Sequence, residues 1–134
     1  MDDVEIERIK QRKLHEMIKR HREAQEMAQV TIPDLDWKLF DALVSSNALV
    51  LVDFWAEWCG PCKSMHPVFE RMAKKYRGIK FARVDVDRNQ DIAMQFGVQS
   101  IPTFIMFRNG IEVQRMQGAV GEPGIHMIAK KFLK

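Results

Sequence analysis

The run Ala48-Leu-Val-Leu-Val-Asp-Phe-Trp55 constrains the fold more than any other stretch of the 134 residues. It is short, rich in β-branched side chains and apolar at every position but Asp53. That is the pattern of a strand covered on both faces, not of one with a wet side. Such a strand needs a layer above and a layer below, and the flanking sequence offers helices for both. Upstream, Asp34 or Asp36 can cap a helix running to about Ser46, with Trp37, Phe40, Leu43 and Val44 on its inner side. Downstream, a helix is predicted from about Pro61 to Tyr76, kinked near Pro67, whose ring removes a donor.

The rest of the chain continues the alternation. Ile79 to Val86 reads as a second buried strand, and Asn89 to Phe96 as a short helix stopped at Gly97. Thr103–Phe107 and Ile111–Gln117 read as strands joined through Arg108-Asn109-Gly110, and Asn-Gly is the strongest short hairpin signal. A last helix covers about Glu122 to Leu133. Before all of these, Val30–Ile32 is predicted as a short first strand ended by Pro33. A βαβ first half implies parallel strands and the hairpin adds antiparallel ones. The fold class is therefore α/β, with a central mixed sheet flanked by helices on both faces.

Residues 1–30 differ in kind from 31–134, the folded domain. They carry seven acids and seven bases, so they are almost half charged yet neutral. Residues 4–28 lack Gly and Pro and read as one helix. At a 3.6 period Ile6, Ile9, Leu14, Met17, Ile18, Ala24, Met27 and Ala28 share a side, with Lys10, Lys13 and Arg20 intruding. The opposite face offers i,i+4 pairs such as Arg12 with Glu16 and Glu16 with Arg20.

Charge and hydropathy exclude several classes of function. A net charge of +3 with alternating signs gives no nucleic-acid footprint, so no specific nucleic-acid partner is expected. No run approaches the roughly 20 apolar residues of a membrane span, so no membrane role is expected either. The first 25 residues are acid-rich and contain no uninterrupted apolar stretch, unlike a secretory or organelle-targeting segment. The expected location is the cytoplasm.

Both cysteines lie in one motif, Trp58-Cys59-Gly60-Pro61-Cys62. A disulfide-stapled secreted protein spreads its cysteines, so this spacing points to a reactive pair in a reducing compartment. The motif sits where a buried strand ends and a helix begins. Unsatisfied N–H groups and the helix dipole at that point stabilise a thiolate. Cys59 precedes the helix and is expected to face solvent as the nucleophile. Cys62, in the first turn, is expected to be partly covered and to resolve the mixed disulfide. Pro61 suits the first helical position, where its missing N–H costs nothing.

Half a zinc site is the competing reading of two cysteines so spaced, but a tetrahedral site needs two more ligands. Only His15, His21, His66 and His126 remain, and His66, four residues after Cys62, is the one plausible third ligand. No metal is expected; His66 reads instead as a rim residue of the redox site or a surface histidine. Asp53 is an acid in an apolar strand. Either it faces solvent, or it is a buried carboxyl with a raised pKa that exchanges a proton with Cys62. Its apolar neighbours favour the second.

The stretch Val52-Asp-Phe-Trp-Ala-Glu-Trp-Cys-Gly-Pro-Cys-Lys63 resembles the active-site segment of the thioredoxin family residue for residue. The resemblance continues through Pro67, Val84–Asp87, Ile101-Pro-Thr103, Phe107-Arg-Asn-Gly110 and Gly118, and covers about residues 34–134. It implies the thioredoxin fold with an extra N-terminal helix. It also implies a protein-disulfide reductase re-reduced by a thioredoxin reductase, with no bound cofactor beyond the Cys59–Cys62 pair. Disulfide-containing proteins would be the substrates, and a monomer is expected. By the same resemblance Asp53 matches the family's buried acid, and Pro102 a cis-proline against the dithiol. Trp55 matches a tryptophan beneath the site, and Trp58, Ile101 and Gly118 the apolar surface where substrates dock.

Three features depart from the family pattern. Arg83 stands where a Lys commonly accompanies the buried acid, the first strand is short, and residues 1–30 are extra. Two rival functions remain. An oxidant or isomerase of the same fold usually carries another dipeptide than Gly60-Pro61 between its cysteines. A binding or chaperone-like module would not need the complete catalytic set.

Overall fold

The computed structural model of the chain describes residues 2–28 and 30–133, the side chains of residues 26–28 excepted. It divides into two compact units, Met1–Thr31 and Ile32–Lys134.

The first unit is one helix, α1 (Asp3–Ala28). Asp2 starts it: its carboxylate accepts the Glu5 N–H at 2.8 Å, satisfying a donor that the first turn leaves free. Arg20 and Glu16 approach to 3.9 Å at the expected i,i+4 spacing. Both ends of this pair are exposed, so it contributes at most a few tenths of a kcal/mol. Ile6, Leu14, Met17 and Ile18, from the expected apolar stripe, are exposed. The side chains of Met27 and Ala28 lie outside the described residues.

The second unit runs α2 (Trp37–Ser46), β1 (Leu49–Trp55), α3 (Gly60–Lys75), β2 (Lys80–Asp85), α4 (Gln90–Gln95), β3 (Thr103–Arg108), β4 (Ile111–Gln117) and α5 (Gly121–Phe132). Every boundary lies close to its predicted place. The strand order is β2-β1-β3-β4. β1 pairs parallel with β2 and antiparallel with β3, and β3 pairs antiparallel with β4, so the sheet is mixed, as expected. At the hairpin Asn109 (φ 51°) and Gly110 (φ 83°) both take left-handed backbone. Two such residues in succession give the turn whose twist matches the flanking strands, which is why Asn-Gly stands there.

Alternation along β1 divides the core between the two faces of the sheet. Val50, Val52 and Phe54, with Ala82, Val84, Ile105 and Phe107 of the neighbouring strands, pack against Leu35, Phe40, Val44 and Ile92. Phe40, Phe96 and Phe107 meet there as a triangle of rings with centroids 5.2–5.4 Å apart. Burying one such ring stabilises the fold by about 1.5–3 kcal/mol. The other face carries Leu51, Asp53 and Trp55. α3 covers it through Phe69, whose ring lies 4.9 Å from Phe81 and 5.7 Å from Phe104. The strand is thus buried on both sides, as its composition requires.

Two expectations need correction. Val30–Ile32 is not a strand. The pairing at that edge is a single parallel bridge between Asp34 and Arg83, in which Arg83 N–H donates to the Pro33 carbonyl at 2.9 Å and Leu35 N–H to the Arg83 carbonyl at 2.8 Å. Pro33 has no N–H to extend a ladder, so pairing falls where its carbonyl alone is used. Trp37 is also not inside: it is 39% exposed, with its ring stacked at 5.8 Å on the outer side of Phe40. Asp36, not Asp34, caps α2, accepting the Leu39 N–H at 2.8 Å, and Trp37 therefore occupies the first turn at the rim.

Candidate active site

β1 ends at Trp55 and the chain turns into α3 within a few residues. Cys59 is the N-cap of α3 in extended backbone (φ −89°, ψ 107°). Its sulfur accepts the Cys62 N–H at 3.2 Å, the position in which capping side chains normally place an oxygen. A negative sulfur there meets both a free donor and the positive end of the helix dipole. Pro61 stands in the first turn, where no donor is missed. Gly60 beside it is exposed. Cys59 and Cys62 are joined as a disulfide with Cα atoms 5.3 Å apart.

Exposure separates the two sulfurs less than their sequence positions suggest. Cys62 is fully buried and Cys59 keeps 4% of its surface. Both pack with Ala56 against Trp55, Val86 and Ile101. Position distinguishes them better: Cys59 sits at the open end of the helix and Cys62 within its first turn.

Three loops converge on the pair. The Ile101–Pro102 peptide is cis, and the Ile101 carbonyl oxygen lies 3.9 Å from the Cys59 sulfur. Gly118, with φ 88°, donates its N–H to the Pro102 carbonyl at 2.8 Å and so ties the end of β4 to the cis-proline loop. Trp58 is 71% exposed next to Cys59 in the chain, and its indole N–H donates to Asp87 at 2.9 Å. Trp58, Ile101 and Gly118 come from separate segments: Trp58 adjoins Cys59 in the chain, the Ile101 carbonyl approaches its sulfur, and Gly118 is held to Pro102.

Asp53 lies beneath, fully buried. Its parallel register with Arg83 puts both side chains on the face under α3. The Arg83 Nε is 4.0 Å from the carboxylate, beyond hydrogen-bond reach. Burial pushes the Asp53 carboxyl up from 3.8 to about 7; Arg83 opposes that rise and Asp34 adds to it. Among the described residues, the buried side-chain atoms without a hydrogen-bond partner are both Asp53 oxygens, Trp55 Nε1, His66 Nε2 and Arg83 Nε. All belong to this one region. No group of three His, Cys, Asp or Glu among the described residues is placed to hold a metal ion.

The thioredoxin family model matches residues 22–131. The chain belongs to the thioredoxin family. It has the thioredoxin fold, a mixed four-stranded sheet between helices with an added N-terminal helix, and it carries the family's thiol–disulfide oxidoreductase pair, Cys59 and Cys62. A thioredoxin 1 of a Nostoc species is 40% identical over 107 residues, 79% of this chain and 96% of that one. A bifunctional thioredoxin reductase/thioredoxin of Mycobacterium leprae is 48% identical over 99 residues, 73% of this chain but only 22% of that protein. A solved thioredoxin from Plasmodium falciparum superimposes with a TM-score of 0.72 at 35% identity, covering 76% of this chain and 99% of that one. The thioredoxin family match begins inside α1, upstream of the change in composition near residue 30.

Several neighbours of the site escape sequence reasoning. The His66 ring packs edge-on against Trp55, centroids 5.0 Å apart; the i,i+4 spacing from Cys62 was its one signal. Asp87 as partner of Trp58 carries no signal, since it comes from the β2–α4 loop. Met65 also joins the site's scaffold, its sulfur accepting the Gly121 N–H at 3.3 Å.

Proposed function

We propose that this chain is a cytoplasmic protein-disulfide reductase, a monomer working as an electron carrier in cell redox homeostasis. The observation that carries this reading is the Cys59 sulfur at the N-cap of α3, accepting the Cys62 N–H. In the reduced protein that environment favours thiolate at Cys59 near neutral pH. The thiolate attacks a substrate disulfide, forming a Cys59–substrate disulfide and releasing one substrate thiolate. Cys62 loses its proton to Asp53 and attacks the Cys59 sulfur. The Cys59–Cys62 disulfide forms and the second substrate thiolate leaves. The substrate gains two electrons and the pair loses two. A thioredoxin reductase returns them, and no bound cofactor takes part.

Substrate docks on Trp58, Ile101 and Gly118, with the backbone before Pro102 pairing an extended segment. Gly60 and Pro61 hold the two sulfurs in one rigid turn. The placement of both cysteines in the site, with none left for a structural bridge, supports a reducing compartment. No helix among the described residues is long and apolar enough to cross a membrane.

The test is reduction of insulin by dithiothreitol, followed as turbidity. The full chain should accelerate precipitation many-fold over dithiothreitol alone; no acceleration refutes the reductase reading. Deleting residues 1–28 should leave this rate within about twofold, because the site is assembled from Asp53 onward. A larger loss in a folded truncated protein would assign α1 a part in holding substrate.

A further inference from the structure

Asp53 poses a problem of proton traffic. If it takes a proton from Cys62 at each turnover, it must release that proton before the next. Yet the carboxyl is fully buried and neither oxygen has a hydrogen-bond partner. Its nearest charged neighbour is Arg83 at 4.0 Å, and a guanidinium does not give up its proton near neutral pH. Glu70 lies beyond it, 3.5 Å from the outer nitrogen of Arg83. The arginine therefore stands between the two carboxylates and passes nothing.

His66 approaches the same region from α3, one turn after Cys62. Its ring packs on Trp55, which shares the Asp53 face of β1 by alternation. Its backbone carbonyl accepts from Arg83 at 3.4 Å. Its Nε2 is buried and has no hydrogen-bond partner, while the residue as a whole is half-buried. Of the four residues that hold these unpartnered atoms, His66 alone joins partial exposure to a side chain that titrates near neutral pH.

We propose that His66 is a positioning residue of the dithiol site, carrying protons between the buried Asp53 carboxyl and solvent. Asp53 and His66 share no direct hydrogen bond, and the transfer we assign between them runs through one water. Asp53, Trp55 Nε1 and His66 Nε2 offer the two to four polar partners that an internal water requires. After Cys62 attacks, protonated Asp53 gives its proton through this water to His66 Nε2. The imidazolium then releases a proton to bulk water and returns to the neutral ring. Only bonds to hydrogen change, and no electrons move.

The charges facing the imidazole agree with this. Burial lowers the His66 pKa, Arg83 lowers it further, and Glu70 of α3 and Asp34 of the edge segment partly restore it. Asp53 of β1 faces the same region from below. The ring is then neutral at pH 7 and able to accept a proton.

This inference rests on the reductase reading, and its test separates the two. Multiple-turnover reduction of a peptide disulfide, with dithiothreitol in excess to restore the dithiol, is measured from pH 5.5 to 9 for wild type, His66→Gln and Asp53→Asn, with and without free imidazole. His66→Gln should be slower by about tenfold near pH 7, converge with wild type at pH 9, and recover on adding imidazole. His66→Asn serves if the glutamine variant fails to fold. A wild-type pH profile in the variant overturns the proposal, and so does a loss that imidazole does not restore, since packing on Trp55 then accounts for it. A wild type unable to reduce the peptide overturns the reductase reading itself.

Discussion

Cys59→Ser should abolish insulin reduction, bringing the rate down to that of dithiothreitol alone. A serine hydroxyl at the α3 N-cap keeps the hydrogen bond from Cys62 N–H but supplies no nucleophile at neutral pH. The fold should survive, because the change is nearly isosteric and Ser is a favoured cap. Cys62→Ser should behave differently. It retains the attacking sulfur, so the first exchange proceeds, but nothing then displaces the substrate. Mixed disulfides with Cys59 should accumulate and be visible as heavier species on non-reducing gels. Steady turnover by Cys62→Ser, or trapping by Cys59→Ser instead, would reverse the assigned roles.

Asp53→Asn should slow exchange about tenfold or more near neutral pH and at the same time stabilise the fold. The sign follows from linkage. The folded carboxyl titrates at about 7, against 3.8 for an ordinary one. From about pH 4 upward the unfolded chain loses this proton while the folded chain keeps it. Stability from this site is therefore full below pH 4, falls through the window between 4 and 7, and is lowest above 7. The variant has no such dependence. Its advantage should be near zero at pH 4 and reach the order of 4 kcal/mol at pH 8, as an upper bound from the shift. Arg83 keeps Glu70 at 3.5 Å, so the substitution does not strand a buried cation. Denaturant melts at pH 4 and pH 8 measure the gap. An equal gap at both, with an unchanged pH–rate profile, would remove Asp53 from proton transfer.

Much of the scaffold was legible because it rests on local chemistry. The helices and strands of residues 32–134 follow from periodicity, from Gly97 and Asn109-Gly110 as stops and turns, and from an acid capping α2. Where the structure departs from local pattern, a neighbour remote in sequence decides. The spacing of Trp37 points to the inner side, but Phe40 already fills the place against Phe96 and Phe107. Local pattern puts a first strand at Val30–Ile32, but the edge of β2 offers Arg83 for pairing opposite Asp34. Periodicity names a face; it does not say how much of that face the rest of the chain can cover.

The site divides in the same way. A buried strand running into Cys-Gly-Pro-Cys at a helix start is written in adjacent residues, because N-capping and the helix dipole act over a single turn. From that alone follow a reactive pair and the expectation that Cys59 attacks first. The isolated acid in β1 likewise shows in its apolar neighbours. The depth of its burial, and hence a pKa near 7, depends on α3 lying across it. The Arg83 register, the approach of His66 to Trp55 and the bond from Trp58 to Asp87 each join segments far apart in the chain. Contacts of that kind depend on how the sheet's register and the helices' placement bring distant residues together, and no single segment encodes them.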